Sequence, residues 1–320
     1  MDALRFTAIV CAACFAGIAA AQPFPSRPIT IVVPLAVGNS ADVLARIVGK
    51  TMAERLGTSV VVDNKPGASG SIGAEFVARA APDGHTLFST ATTFVINKAL
   101  NPGLRYDPVK DYTPITLLAT GDMGLFVSND TPVKSIAEFV ALAKSKPGTL
   151  NYASPGSGTP HHLSMELFKL ESGIQIVHVP YKEQRGMLTD VVAGRVEALM
   201  SPLFALLPQI QSGKIRLIGM LSSERSPTVP AVPTLKEAGY PALEVHVWVA
   251  LLAPAGLPND ILARLSTEVN AALGTAQVRD IFTGQGLKIM GGPPERLAEW
   301  LRDELQRWVR VVADARIKAD

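Results

Sequence analysis

Short apolar, β-branched runs alternate with segments whose apolar residues recur at helical spacing through most of the chain. Alternation of this kind predicts parallel sheets with helices on both faces. Strands are expected at Ile29 to Val33, Val60 to Asp63, Thr86 to Ser89, Ile115 to Leu118, Leu125 to Val127, Gln175 to Val179, Ala198 to Met200, Ile215 to Met220 and Val245 to Leu252. The first helix, Ala41 to Leu56, puts Val43, Leu44, Ile47, Val48 and Met52 on one face, and Gly57 stops it. Thr159 to Leu170 does the same with Leu163, Leu167 and Leu170. The C-terminal part is mostly helical: Asn259 to Leu273, Ala276 to Thr283, and Glu295 to Val312 after Pro293-Pro294.

Two stretches repeat one pattern of apolar strand, small-residue loop and amphipathic helix: Ile29 to Arg46 (ITIVVPLAVGNSADVLAR) and Leu150 to Leu167 (LNYASPGSGTPHHLSMEL). The first N–H groups of a helix lack intrahelical partners and sit at its partially positive end, so a carboxylate or phosphate is favoured there. Two such ends in different parts of one chain predict two walls of an anion-binding cleft. Val37, Gly38, Asn39 and Ser40 make the first candidate wall. Ser154, Gly156, Ser157, Gly158 and Thr159 make the second, with His162 just inside the helix, where packing or hydrogen bonding to the loop is the alternative role. Thr92 and Thr93, after the third strand, form a third edge or an ordinary helix start. Tyr181 and Arg185 follow the strand ending at Val179, and Arg185 offers a bidentate pair to a carboxylate or a bond to Glu183. Asp42 and Asp190 read as braces.

The first 21 residues read as an export signal cleaved after Ala21: Arg5, an apolar stretch from Phe6 to Ala16, and Ala19-Ala20-Ala21. Cys11 and Cys14 both lie inside it, so the expected mature chain has no disulfide and no thiol chemistry. The sequence around Cys14 does not suit lipidation. Net charge is +2, without basic runs or interleaved aromatics, which argues against nucleic acid as a partner. The remaining length suits two domains. They are either contiguous or formed by a chain that crosses near Gly124 and returns near Val245, with Leu125 to Val127 and Val245 to Leu252 as a two-strand hinge.

The turn Pro66-Gly67-Ala68-Ser69-Gly70-Ser71-Ile72-Gly73 invites a nucleotide reading, but it lacks both the Lys-Ser/Thr of a P-loop and a Gly-x-Gly-x-x-Gly. It is expected to lead into a helix from Ile72 to Ala80. A serine hydrolase built on Ser157 with His161 or His162 is a remote alternative, because Ser154 to Gly158 does not form the Gly-x-Ser-x-Gly elbow. Adjacent histidines point in different directions on a helix and make a poor metal pair.

The blocks RPITIVVPLAVGNSADVLAR, VVVDNKPGASGSIGAEFVARAAPDGHTL, YDPVKDYTPITLLA, LNYASPGSGTPHHLSMELF, VPYKEQRGMLTDVVAGRVEALM, RSPTVPAVPTLKEAGYP and LLAPAGLPNDILARL resemble the solute-binding proteins of tripartite tricarboxylate transporters, also called Bug receptors. The resemblance covers essentially the whole mature chain. It implies an α/β, two-lobed periplasmic-binding-protein (Venus flytrap) fold, each lobe a central sheet flanked by helices and joined by a two-strand hinge. Residues 1–21 are then the signal peptide, 22–124 with 246–320 one lobe, and 125–245 the other. It further implies a periplasmic, monomeric receptor, not an enzyme, without cofactor or metal. Its expected partners are a small organic acid and either inner-membrane permease subunits or a sensor protein. Two loops depart from the family pattern: Val37-Gly38-Asn39 replaces a Pro-Gly-Gly run, and Lys182 to Met187 is more polar than the usual Lys-Gly-x-x-Pro. The second departure predicts a ligand with a second polar group.

Overall fold

The computed structural model describes residues 24–181, 184–284 and 286–317; the stretch expected to be an export signal and the Lys182-Glu183 pair lie outside the described residues. The first half runs β1 (Ile29–Val33), α1 (Ser40–Leu56), β2 (Val60–Asn64), a 3-10 turn (Ala68–Gly70), α2 (Ser71–Ala78), β3 (Thr86–Ala91), α3 (Thr93–Leu100) and β4 (Tyr112–Ser128). The chain then forms α4 (Ile136–Ser145), β5 (Asn151–Ser154), α5 (Pro160–Ser172), β6 (Val177–Pro180), α6 (Gln184–Val192), β7 (Ala198–Pro202), α7 (Leu203–Gln211) and β8 (Ile215–Met220). It returns through β9 (His246–Pro254) and ends with α8 (Asn259–Leu273), α9 (Ala276–Gly284), β10 (Lys288–Ile289) and α10 (Pro294–Asp314).

The strands lie in the order β2-β1-β3-β9-β4-β7-β5-β6, with β8 and β10 also paired to β4. Within each lobe the strands that feed the candidate loops are parallel: β1 with β2 and β3, and β5 with β6 and β7. Their C-terminal ends, and therefore the loops after them, gather on one side. In open α/β sheets this is where ligands bind.

β4 differs from expectation. Ile115 to Leu118 and Leu125 to Val127 belong to a single strand of 17 residues, read from sequence as two because Ala119-Thr120-Gly121-Asp122 interrupts the bulky apolar run. Within it, Tyr112 to Asp122 pairs with β9, and Met123 to Ser128 pairs with β7 and β8. The strand therefore changes sheets where its side chains are smallest. A Cβ on Gly121 would stand 2.9 Å from Phe204, and one on Gly124 would stand 2.6 Å from Leu217.

One apolar core continues across both lobes, from Phe88 and Phe94 through Trp248 and Trp308 to Phe139 and Phe168. A second core lies under α1, α8 and α9, and a third under α6 and α7.

The two crossings are also joined electrostatically. His246 Nδ1 lies 3.1 Å from Asp122 Oδ1 on β4, and its Nε2 lies 3.5 Å from Glu244 Oε1. Burial alone would lower the imidazole pKa, but the bonds and charges of Asp122 and Glu244 outweigh it and raise it above the usual histidine range. A raised folded-state pKa contributes stability that is fully present below the unfolded value near 6.5 and is lost as pH rises through the folded value. H246Q should therefore show a stability deficit of about 1 kcal/mol at pH 6 that is smaller at pH 8. Urea unfolding at both pH values checks this, and a pH-independent deficit would refute it.

Candidate functional site

The first loop is held from beneath. Asn39 caps α1, its Oδ1 accepting the N–H groups of Ala41 at 2.8 Å and Asp42 at 3.2 Å. Asp42 is buried and accepts from Gly38 N–H at 2.9 Å, Arg46 at 2.8 Å and Asn64 at 3.0 Å. Burial would raise this carboxyl's pKa; the bonds from Arg46, Gly38 and Asn64 outweigh it and hold the group below the usual carboxylate range. Asp42 thus spends its charge on bracing the loop. Among the described residues the Ser40 N–H and hydroxyl have no partner. Val37 projects into solvent at the loop tip.

Gly38, Ser40 and Val43 line a cavity of about 310 Å³ whose other wall is Phe204 and Leu207 of α7, closed at one edge by Gly284. The strand and helix alternation expects a helix here but does not name α7 as a wall of the site; the helix starts directly after Pro202 ends β7. Ser201-Pro202 ahead of an apolar helical run was the available signal, the same strand-to-helix pattern seen in the other two loops.

The second loop turns at Gly156 and Gly158, both at positive φ. Thr159 caps α5: its hydroxyl donates to Gly156 O at 2.8 Å and accepts from His162 N–H at 3.4 Å. Ser154 is fully buried, its Oγ taking the Gly156 N–H at 3.1 Å and lying 2.6 Å from His178 Nε2. Ser157 is half-buried. Its hydroxyl and N–H, with the N–H groups of Thr159 and His161, have no partner among the described residues. Burial pushes the His161 imidazole down to about 4, so it is neutral at pH 7. The loop packs close to α3: a Cβ on Gly158 would stand 2.4 Å from Leu100.

Thr92 is buried, and its hydroxyl accepts the Trp248 N–H at 2.9 Å, tying the third edge to the returning strand; Thr93 opens α3. Tyr181 N–H donates to Ser154 O at 2.9 Å and its hydroxyl to Asp190 at 2.8 Å. Burial and then the Asp190 bond push the Tyr181 hydroxyl up to about 12. Arg185 is exposed on the second residue of α6, and the pairing with Glu183 considered from sequence lies outside the described residues. The glycine-rich turn ends in α2, which starts at Ser71 and stops at Ala78, and Asn97 Nδ2 donates to its Ser69 carbonyl. Among the described residues no cluster of His, Cys, Asp or Glu suits a metal ion.

The geometry is that of two helix starts, at Ser40 and at Ser157 to His161, each with donors that have no partner among the described residues. The profile of the tripartite tricarboxylate transporter family receptor, TctC, matches residues 44–317. The chain belongs to that family. Protein BugT of Bordetella pertussis is 35% identical over 308 residues, covering 95% of this chain and 94% of BugT. R. palustris Rpa4515 with adipate superimposes with a TM-score of 0.79 at 34% identity, covering 92% of this receptor and 99% of that chain. MatC from Rhodopseudomonas palustris with bound malate gives 0.76 at 35%, covering 90% and 100%. The periplasmic binding protein BugD gives 0.77 at 29%, covering 93% and 100%. Family and fold are those of periplasmic solute-binding receptors, and the two-lobed architecture expected from sequence is the observed one.

Proposed function

We propose that this receptor captures a small organic carboxylate between its lobes in the periplasm and delivers it to the permease subunits of a tripartite transporter. The observation that carries this reading is the pair of helix starts, Ser40 of α1 and Ser157 to His161 of α5, whose donors have no partner among the described residues. Each end stabilises an anion by roughly 0.3 to 1 kcal/mol when exposed and up to about 2 when partly buried, so two ends suit a diacid better than a monoacid. Adipate and malate, the ligands named for two relatives, head the list of acids to try. Arg185 supplies a cation for a second polar group, and Phe204 and Leu207 an apolar wall.

The moving bodies are taken as residues 22–124 with 246–320 against 125–245, closing about the two crossings, with the chain acting as a cleaved monomer. Catalysis is not part of this reading: Ser154 to Gly158 lacks the Gly-x-Ser-x-Gly elbow, and His162 Nδ1 is occupied by Gly158 N–H. The test is thermal unfolding of the refolded, ligand-stripped protein against a panel of organic acids. A ligand at about 100 times its Kd stabilises by about 2.7 kcal/mol. A folded protein that no acid stabilises would end the carboxylate reading. Deleting the gene in the source organism and measuring uptake separates delivery to a permease, where uptake is lost, from sensing, where only an induced response is lost.

A further inference from the structure

The second loop is held by a histidine in a defined protonation state. His162 Nδ1 accepts the Gly158 N–H at 3.1 Å. A ring nitrogen accepts only when it carries no proton, so this bond requires the neutral imidazole with its hydrogen on Nε2. Nε2 lies 4.0 Å from Glu166 Oε1, and the side chain is 8% exposed. The ring stacks on His178 with centroids 4.1 Å apart and planes 11° apart, and lies parallel to Tyr152 at 6.4 Å.

The groups facing this ring come from three elements. α5 supplies Glu166 and Lys169, with neutral His161 beside it; β5 supplies Tyr152 and Ser154; β6 supplies His178. Glu166 Oε1 accepts from the Tyr152 hydroxyl at 2.5 Å and from Lys169 at 2.6 Å. The loop has little freedom elsewhere: Gly158 sits at φ +74 with Leu100 against the place of its missing Cβ.

We propose that His162 is the positioning residue of this ligand loop and acts through Gly158. The neutral ring holds Gly158, and with it the donors of Ser157, Thr159 and His161, towards the cleft. The protonated ring has no acceptor left, so the loop is released and ligand with it. Acid therefore weakens binding through the protein, separately from any titration of the ligand itself.

Two variants separate the acceptor from the ring. H162N places an amide oxygen near the Nδ1 position and cannot titrate, whereas H162F keeps the stack and loses the acceptor. The first measurement needs no ligand: long-range 1H–15N NMR of the histidine rings, with the Gly158 amide followed from pH 8 to pH 5. The expected result is an unprotonated Nδ1 at pH 8 and a Gly158 amide that shifts with the His162 midpoint. A protonated Nδ1 at pH 8, or a Gly158 amide indifferent to the titration, overturns the proposal. So does a ring that stays neutral down to pH 5, because release would then have no trigger.

The second measurement rests on the carboxylate reading and uses adipate and malate as probes. H162F should bind roughly 3- to 10-fold more weakly at pH 8, the weight of one buried hydrogen bond. H162N should recover most of that loss and flatten the acid limb of the affinity profile. An H162N profile as steep as wild type would overturn the proposal. If neither acid binds wild type, the choice of ligand is wrong while the NMR titration still decides the loop. Should H162F fail to fold, wild type and H162N suffice.

Discussion

Trp248→Ala is expected to lower stability by about 3 to 5 kcal/mol, the range for truncating a fully buried tryptophan. Trp248 is 1% exposed on β9 and lies in the core that runs from Phe88 and Phe94 to Phe139 and Phe168. Its indole N–H donates to Glu304 Oε2 at 2.9 Å, and its backbone N–H donates to the Thr92 hydroxyl. Glu304, itself buried, also accepts from Trp308 at 3.1 Å and Arg307 at 3.1 Å. Alanine would open a cavity and remove one of the donors that keep a buried carboxylate satisfied, and that second cost adds to the first. Trp248→Phe keeps most of the volume and should cost about 1 to 2 kcal/mol, mainly the lost hydrogen bond. Urea unfolding distinguishes the two. A Trp248→Ala loss below about 1 kcal/mol would mean that the shared core does not hold the lobes as described.

Gly73→Val is expected to cost about 3 kcal/mol and to weaken ligand binding, although no ligand contact is assigned to Gly73. A Cβ there would stand 2.9 Å from Pro34 Cα, 3.0 Å from Pro34 Cβ and 3.0 Å from the Lys65 carbonyl oxygen. These are mostly backbone atoms, which cannot rotate away as a side chain could. Valine would push α2 off the segment that leads into Pro34 to Ser40, so the loop carrying the Ser40 donor would move. Gly38 makes a useful contrast, since nothing lies within 4 Å of its Cβ position and its requirement is the positive φ of +87. Unfolding and ligand titration on Gly73→Val should therefore both respond. Weaker folding with unchanged affinity would show that α2 and the loop are not coupled.

The glycine-rich turn shows how local pattern misleads and then informs. Read alone, Gly67 to Gly73 suggests phosphate binding and fails on spacing. In three dimensions Gly73 is small because α2 lies against Pro34, a neighbour 39 positions away that no local window contains. β4 teaches the same lesson in reverse. Its small central residues look like a break between two strands, yet they let one strand pass from one sheet to the other beneath Phe204 and Leu217.

Much of the candidate site was legible because it is built from local chemistry. Asn39 and Thr159 sit where side-chain oxygens can cap the helices that follow, and the small residues before them permit the turns. Apolar periodicity located α1 and α5, and the family resemblance supplied the two-lobed arrangement that periodicity leaves open. α7 was not named as a wall of the site because its start carries no Ser, Thr, Asn or Asp cap, only Pro202.

By itself, then, the sequence determined the alternation of strands and helices, the two capped helix starts and the membership of a receptor family, all of which depend on residues close together in the chain. The tertiary structure decided that Phe204 and Leu207 face Gly38 and Ser40, and that His246 joins Asp122 to Glu244. It also decided that His162 serves Gly158 through an unprotonated nitrogen. Most of these pairings join positions far apart in the chain, and the short-range one depends on where a ring nitrogen points. Distance and direction between side chains are fixed only once the sheet order has folded them together.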